Sequence, residues 1–180
     1  SVGLKGRVAS NINNSVMLYQ NITKDQPLLV NDSTDMKKFG IVYDTKMTNL
    51  GAKLEVNYLL KDKGSIGIDA NLNTYNTEQE AEAWHLPGMK IGFNGKYKVS
   101  PKLSLRADVF MLSGSKARLS DGTATDLNGT MDINLAVKYE IIKNVALFCN
   151  VNNLAGIKYE RYLNYPTYGF NALGGLIVRF

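Results

Sequence analysis

The last eleven residues of the chain, 170–180, place apolar or small side chains at every even-numbered position. Successive side chains of a β-strand point to opposite faces, so a strand here has one apolar face, with Asn171 and Arg179 on the other. Such a strand, ending on an aromatic carboxy-terminal residue, is typical of a membrane-spanning β-barrel. An inner strand of a soluble β-sandwich gives the same alternation, so the rest of the chain is needed to distinguish a barrel from a sandwich. The apolar face consists of Phe170, Ala172, Leu176, Val178 and Phe180.

The same period of two recurs along the chain and predicts an all-β, antiparallel fold. In the clearest example, 132–141, one face is apolar or aromatic, and the other carries Asp132, Lys138 and Glu140. A strand of a membrane barrel needs only about 10 such residues. The pattern predicts nine strands, at 2–9, 15–23, 53–58, 66–73, 89–99, 103–111, 132–141, 145–152 and 170–180.

The connections between these strands alternate between short and long. Short turns on one side and long loops on the other are the asymmetry of outer-membrane barrels, whose short turns face the periplasm. The sequence therefore predicts a transmembrane barrel wall with its long loops outside the cell. The short connections are 11–14, 61–64, 100–102 and 142–144, and the long ones are roughly 24–46, 76–88, 113–129 and 153–169.

Prolines and aromatic residues fit this arrangement. Proline cannot donate a hydrogen bond to a neighbouring strand, and all four prolines fall outside the predicted strands. Four aromatic residues lie on the apolar face close to a short turn or the carboxy-terminus, which predicts an aromatic ring at the periplasmic membrane interface. The prolines are Pro27, Pro87, Pro101 and Pro166, and the aromatic residues are Tyr58, Tyr97, Tyr139 and Phe180.

Composition argues against other classes of protein. No run of about 18 apolar residues is present, so a membrane-spanning helix is not expected. The net charge is +5, but the basic residues are scattered, so nucleic-acid binding is not expected. Cys149 is the only cysteine and His85 the only histidine, so we expect no disulfide, metal site, cofactor or catalytic triad. Any export signal is expected upstream of Ser1 or already removed.

The odd number of strands predicts an incomplete barrel. Counting back from a periplasmic Phe180, strand 2–9 begins at the extracellular end, whereas a single-chain bacterial barrel has an even strand number and both termini in the periplasm. Strands 2–9 and 170–180 are therefore not expected to pair with each other. In an alternative count, Phe39–Tyr43 supplies a tenth strand.

The carboxy-terminal third resembles the corresponding end of TonB-dependent outer-membrane receptors. The resemblance rests on Asn153-Leu154 at the end of a predicted strand, Tyr159 in the last loop, and Pro166 and Gly169 before the final strand. The segment 82–88 is similar to loops of such receptors from Bacteroidetes-like bacteria. Two features depart from the family pattern: Ala155-Gly156 stands where an aromatic and an acidic residue are common, and Phe170 where an arginine is common.

The resemblance implies that residues 1–180 are the carboxy-terminal portion of a larger barrel of roughly 22 strands. It further implies a plug domain outside this chain, through which the TonB system drives import of a scarce nutrient across the bacterial outer membrane. Metal chelates, haem, cobalamin, peptides and glycans are all candidate substrates. Outer-membrane lipid, lipopolysaccharide and the outer-membrane assembly machinery are the other expected partners. The alternative is a small self-contained barrel acting as a passive channel or structural protein.

Two sets of residues are candidates for function. The first consists of residues of the long loops that can stack on a ligand ring or meet an anionic ligand, although packing between loops is the commoner role of such residues. The second resembles the carboxy-terminal signal read by the assembly machinery. The loop set is Trp84, His85, Tyr159, Arg161, Tyr162, Tyr165 and Tyr168, and the signal is Gly175, Val178 and Phe180.

Overall fold

A computed structural model describes residues 1–32, 34–35 and 38–180, and it contains one antiparallel sheet of nine strands. Each strand of this sheet pairs with the one that precedes it, apart from two small hairpins set into the connections. The sheet is formed by β1 (Val2–Ala9), β2 (Ile12–Asn31), β3 (Phe39–Leu59), β4 (Gly64–Asn76), β5 (Met89–Lys98), β6 (Leu103–Leu112), β9 (Thr130–Ile142), β10 (Val145–Asn152) and β13 (Asn171–Val178), and the hairpins by β7 (Ser115–Arg118) with β8 (Ala124–Leu127) and β11 (Glu160–Tyr162) with β12 (Tyr165–Pro166).

The predicted count of nine strands is confirmed. β1 and β13 lie at opposite edges of the sheet, and they do not pair with each other in the described part of the chain. The alternative count of ten is wrong, because Phe39–Tyr43 forms the beginning of β3 rather than a separate strand. Its residues continue the pairing with β2, ending at Asn31 opposite Phe39.

The sheet has an apolar face that is exposed along its whole width. Leu18, Ile66 and Leu176 are 54–61% exposed, although each belongs to a hydrogen-bonded strand of the sheet. Tyr58, Tyr97 and Tyr139 also lie exposed on this face near the short turns, as the sequence predicted. In β13, Leu176 and Val178 are exposed while Ile177 between them is partly buried, which confirms the predicted alternation.

The opposite face is polar and is covered by side chains that reach across strands. Tyr19 of β2 lies over Gly51 of β3, where a Cβ atom would collide with the tyrosine ring. Its hydroxyl reaches β4 and lies 2.9 Å from Asn71 Oδ1 and 2.6 Å from Asn73 Oδ1. Asn49 Nδ2 donates to Asn73 Oδ1 at 3.1 Å. A glycine in the central strand thus lets one aromatic side chain tie three strands together.

Charges on the polar face are paired along single strands. A cation and a carboxylate two residues apart share a face because side chains alternate. Three strands contain such a pair, with nitrogen–oxygen distances of 2.6–2.8 Å: Lys53–Glu55, Arg106–Asp108 and Lys138–Glu140. These contacts reduce the charge of the face without joining neighbouring strands.

The connection predicted over 24–46 is much shorter than expected. β2 and β3 continue as a long hairpin, so that only 32–38 connects them. The sequence does not indicate this extension, because Asp25, at a φ of 50°, interrupts the alternation and Pro27 comes two residues later. β1 pairs with β2 only as far as Leu18, so this part of β2 has an open edge, where a strand tolerates proline.

The expectation that all prolines lie outside strands is therefore wrong for Pro27, and also for Pro166 in the two-residue strand β12. The remaining connections follow the predicted pattern. Short turns join β1 to β2, β3 to β4, β5 to β6 and β9 to β10, and the second of these holds a 3₁₀ turn at Lys61–Lys63. Among the described residues, no helix has the length and hydropathy to cross a membrane.

Replacing Gly51 by alanine tests the packing of Tyr19. The added methyl group must displace the ring and its hydrogen bonds, so we expect the free energy of unfolding to fall by about 1–3 kcal/mol in a urea titration. Gly95→Ala is the matched control, because the nearest atom to its new methyl group would be a carbonyl oxygen 3.9 Å away. Adding Tyr19→Ala to Gly51→Ala should recover part of the loss, and strictly additive effects would contradict the proposed contact.

Candidate functional site at the long-loop end

The hydrophobic core of the described chain lies mainly at the long-loop end. A cluster of Leu28, Val30, Met47 and Trp84 is at most 8% exposed and joins the β2–β3 hairpin to the β4–β5 connection. Val42, Tyr75, Ala83 and Leu86 pack against it. Burial of this kind orders loop residues that would otherwise be mobile, so this end of the molecule presents a packed surface.

Asp44 anchors the β4–β5 connection from inside this region. Its side chain is fully buried, and its carboxylate accepts hydrogen bonds from the backbone N–H groups of 78–80 at 2.8–3.2 Å. The Lys46 N–H adds another at 3.1 Å. Burial raises the pKa of Asp44, but the four backbone donors outweigh burial, so its pKa lies below the ordinary value. No pattern in the sequence marks this carboxylate, which lies among ordinary strand residues.

Trp84 and two ion pairs connect the β4–β5 connection to the β7–β8 hairpin. Trp84 is 2% exposed, and its indole Nε1 donates to Glu80 Oε2 at 2.8 Å. The same carboxylate oxygen lies 3.3 Å from Arg118 Nη1, and Lys116 Nζ lies 2.6 Å from Glu82 Oε1. The structure therefore places Trp84 inside the loop packing and not on its surface.

His85 lies beside Trp84 and is 7% exposed. Its Nδ1 lies 3.0 Å from the Leu29 carbonyl oxygen, and its Nε2 lies 3.4 Å from the Leu163 amide nitrogen. Its own N–H donates to the Lys116 carbonyl at 2.7 Å. The imidazole thus contacts the β2–β3 hairpin and the last long connection. Burial lowers the pKa of His85, which the Leu29 carbonyl only partly offsets.

Four aromatic rings meet where the last connection reaches the other loops. Phe39 packs edge-on against His85 and Tyr162, with ring centroids 6.2 and 5.5 Å apart, and against Tyr165 at 4.8 Å. The His85 and Tyr162 centroids are 5.2 Å apart. The structure thus brings together three of the predicted loop residues: His85, Tyr162 and Tyr165. Sequence reasoning missed Phe39, which it had considered only as a strand residue.

The other predicted loop residues lie around this group. His85, Tyr159, Arg161 and Tyr162 share a small cleft of about 30 Å³, far below the roughly 300–1,000 Å³ of ligand pockets. Burial, followed by the nearby Asp132 carboxylate, raises the pKa of Tyr159. Tyr168 is 92% exposed and is not among the residues that line the cleft.

Asn153 organises the last connection. It is 3% exposed, at a φ of 49°, and its Nδ2 donates to the carbonyl groups of Ile157 and Tyr168 at 2.7 and 3.0 Å. Its Oδ1 accepts the Ile157 N–H at 3.1 Å. Asn153 carried the family resemblance in the sequence, and its structural role is to fold the chain back on itself after β10.

A second concave region lies at the short-turn end, on the polar face. A hollow of about 620 Å³ spans β4 to β13 and has an apolar floor of Ala136, Phe148 and Ile177. Phe148 lies over Gly175, where a Cβ atom would come within 2.7 Å of the ring. Five cations line the hollow: Lys63, Lys96, Lys98, Arg106 and Lys138. No group of three or more histidine, cysteine or acidic side chains suited to a metal ion occurs in the described part of the chain.

No family model and no curated protein matches this sequence. Solved structures match almost the whole chain. The ferric-catecholate import receptor Fiu from E. coli K12 aligns with a TM-score of 0.78 at 14% identity, over 99% of this chain and 27% of the receptor. The pyoverdine outer membrane receptor FpvA from Pseudomonas aeruginosa PAO1 aligns with a TM-score of 0.77 at 13% identity, over 99% and 29%.

The copper transporter OprC aligns with a TM-score of 0.74 at 16% identity, over 99% of this chain and 30% of the transporter. The chain therefore spans less than a third of the length of these proteins. Identities this low show the fold alone. The nine-stranded sheet has the fold of a segment of these two receptors and of this transporter.

Replacing Asp44 by alanine tests the anchoring of the β4–β5 connection. Three consecutive N–H groups lose their buried acceptor, so we expect a loss of about 1–3 kcal/mol and faster hydrogen exchange in residues 78–80. Because the folded pKa is lowered, the stabilisation is present above the ordinary value of 3.8 and is lost as the pH falls through the folded pKa.

Thr45→Val is the matched control, since it removes an exposed contact to the same loop, from Thr45 Oγ1 to Glu78 Oε2 at 3.0 Å. We expect it to change stability by less than about 0.5 kcal/mol. Equal hydrogen exchange in residues 78–80 of both variants would contradict the role assigned to Asp44.

Proposed function

We propose that this chain is part of the barrel wall of a TonB-dependent receptor, which imports a scarce nutrient across the bacterial outer membrane. The observation that carries the proposal is the exposed apolar face of the nine-stranded, hydrogen-bonded sheet. A face of this extent in water would favour aggregation, whereas hydrocarbon solvates it. The polar face, with its ion pairs and amide network, would then line the lumen.

The open edges of β1 and β13 support a larger barrel. In hydrocarbon each unpaired backbone group costs several kcal/mol, so a membrane sheet has to close. Additional strands of the same receptor satisfy both edges, which fits the alignment of this chain with a part of each solved receptor. We therefore place residues 1–180 in the carboxy-terminal part of a barrel of roughly 22 strands.

The hollow on the polar face supports a plug domain as its neighbour. Lys96 and Lys98 line it, and the structure assigns neither side chain an ion pair within the described ranges 1–32, 34–35 and 38–180. A hollow with an apolar floor and a cationic rim is better suited to contact with another protein surface than to contact with bulk water. In this proposal the TonB system acts on that plug, outside this chain.

The loop end is the proposed ligand side. Tyr165, Tyr168 and Arg161 are exposed there, and they offer aromatic and cationic contacts to a chelate, haem, cobalamin, peptide or glycan, or to lipopolysaccharide. Tyr159 and Tyr162 border the cleft, while Trp84 and His85 contribute by holding the loops. Gly175, Val178 and Phe180 are proposed to serve the assembly machinery.

Energy dependence of uptake tests the proposed function. Cells that carry or lack this protein would be given a panel of labelled ferric chelates, haem, cobalamin, peptides and oligosaccharides. We expect uptake of one class to require the protein and to stop when TonB is deleted or the proton gradient is collapsed. Protein-dependent entry of small solutes that continues without TonB would instead establish a passive channel.

Leu176→Gln and Ile177→Gln form a matched pair that tests membrane insertion. A glutamine at position 176 places an amide in hydrocarbon, which should destabilise the protein by at least about 1 kcal/mol in folding measurements with lipid vesicles. Ile177 lies on the opposite face, so the same substitution should have less than half this effect. Equal losses at the two positions would show that the apolar face does not meet lipid.

A further inference from the structure

His85 is an ionisable side chain that hydrogen-bonds two other loops. It belongs to the β4–β5 connection, and its ring nitrogens contact Leu29 in the β2–β3 hairpin and Leu163 between β11 and β12. The Leu163 carbonyl is held separately by Asn31 Nδ2 at 3.2 Å. The last connection is thus tied to the other loops at Leu163 through both of its backbone groups.

The two contacts determine the protonation state of the ring. A carbonyl oxygen only accepts, so Nδ1 must carry a hydrogen to bond to Leu29. The Leu163 N–H only donates, so Nε2 must present its lone pair. Both bonds exist together only in the neutral tautomer with its hydrogen on Nδ1. A second proton, on Nε2, removes the acceptor of the Leu163 N–H. The Nε2–H and the Leu163 N–H, which are both donors, then face each other.

In the described structure the ring nitrogens contact the Leu29 carbonyl and the Leu163 N–H rather than a charged side chain. Lys116 of β7 contacts His85 through its backbone carbonyl, and its ammonium group is paired with Glu82 at 2.6 Å. From β11, Glu160, Arg161 and Tyr162 border the same cleft as the ring. The Glu160 carboxylate accepts the Asn164 N–H at 3.0 Å.

The other surroundings of the ring consist of uncharged groups. β2 contributes the Leu29 carbonyl, β3 the Phe39 ring, and β12 the ring of Tyr165, which packs on Phe39. Protonation of His85 is therefore unfavourable while the loops are closed.

We propose that His85 is a pH-sensitive latch, which holds the 157–168 connection against the β2–β3 and β4–β5 loops when neutral and releases it when protonated. Burial lowers the pKa of His85 in the latched state below its ordinary value of 6.5. When the connection opens, the imidazole is exposed to water and the pKa of His85 returns to its ordinary value. The latch is therefore stable above about pH 6.5 and weakens as the pH falls from there toward the latched pKa.

Hydrogen exchange at the Leu163 amide tests the latch. The full-length receptor that contains this chain would be placed in lipid nanodiscs, and the protection of peptides covering 160–165 would be measured from about pH 7.5 to pH 5 and corrected for intrinsic exchange rates. We expect the protection factor to fall with decreasing pH, by at most about tenfold per pH unit below 6.5. The peptide covering the β9–β10 turn should keep a constant protection factor.

Two variants separate the latch from a general effect of acid. Asn tolerates the φ of 59° found at position 85, so His85→Asn should fold, with low protection of Leu163 that no longer depends on pH. His85→Gln retains an acceptor for the Leu163 N–H and should be protected at both ends of the pH range. Protection that is constant in the unmodified protein, or that falls equally in the Asn variant, would overturn the proposal.

Discussion

The hydrogen-bonded ladder of the nine-stranded sheet determines where every other group in this protein lies. Because side chains alternate, a register shift of a single residue would move the apolar set of a strand to the polar face. The register stays the same from Ile12–Tyr58 to Asn31–Phe39 in the longest pair, although the pairing skips Asp25 and Thr45. Tyr19 over Gly51 and Phe148 over Gly175 add side-chain constraints on the polar face, where a shifted strand would lose the glycine beneath the ring.

Beyond the sheet, order at the loop end depends on buried groups. A loop usually lies on the surface because its backbone polar groups need partners. Here Asp44 supplies those partners to 78–80 from inside the molecule, and Trp84 is buried in the Leu28 cluster. Because β2 and β3 continue as a long hairpin, Asp44 and the Leu28 cluster lie far from the short turns.

The sequence predicted the sheet well because alternation is a local property. It predicted the strand count, the short turns and the apolar face, including Tyr58, Tyr97 and Tyr139. It failed over 24–46, where Asp25 and Pro27 break the alternation although cross-strand pairing continues. The candidate site was predicted only in part, since the contacts of Asp44 and of His85 join residues 34–78 positions apart, and no periodic pattern marks such pairs.

The same contacts make the loops at this end mechanically dependent on one another. Trp84 and His85 are neighbours in the chain, yet one is tied through Glu80 to Arg118 in β7 and the other to Leu163. A displacement of the β4–β5 connection therefore breaks contacts with the β2–β3 hairpin, the β7–β8 hairpin and the last connection together. The Leu163 hydrogen bonds of the last connection can exchange for water and its Tyr162 and Tyr165 rings stay partly exposed, whereas the buried Leu28 cluster cannot leave its apolar packing without loss. Motion of the last connection is therefore the least unfavourable way for this end to open.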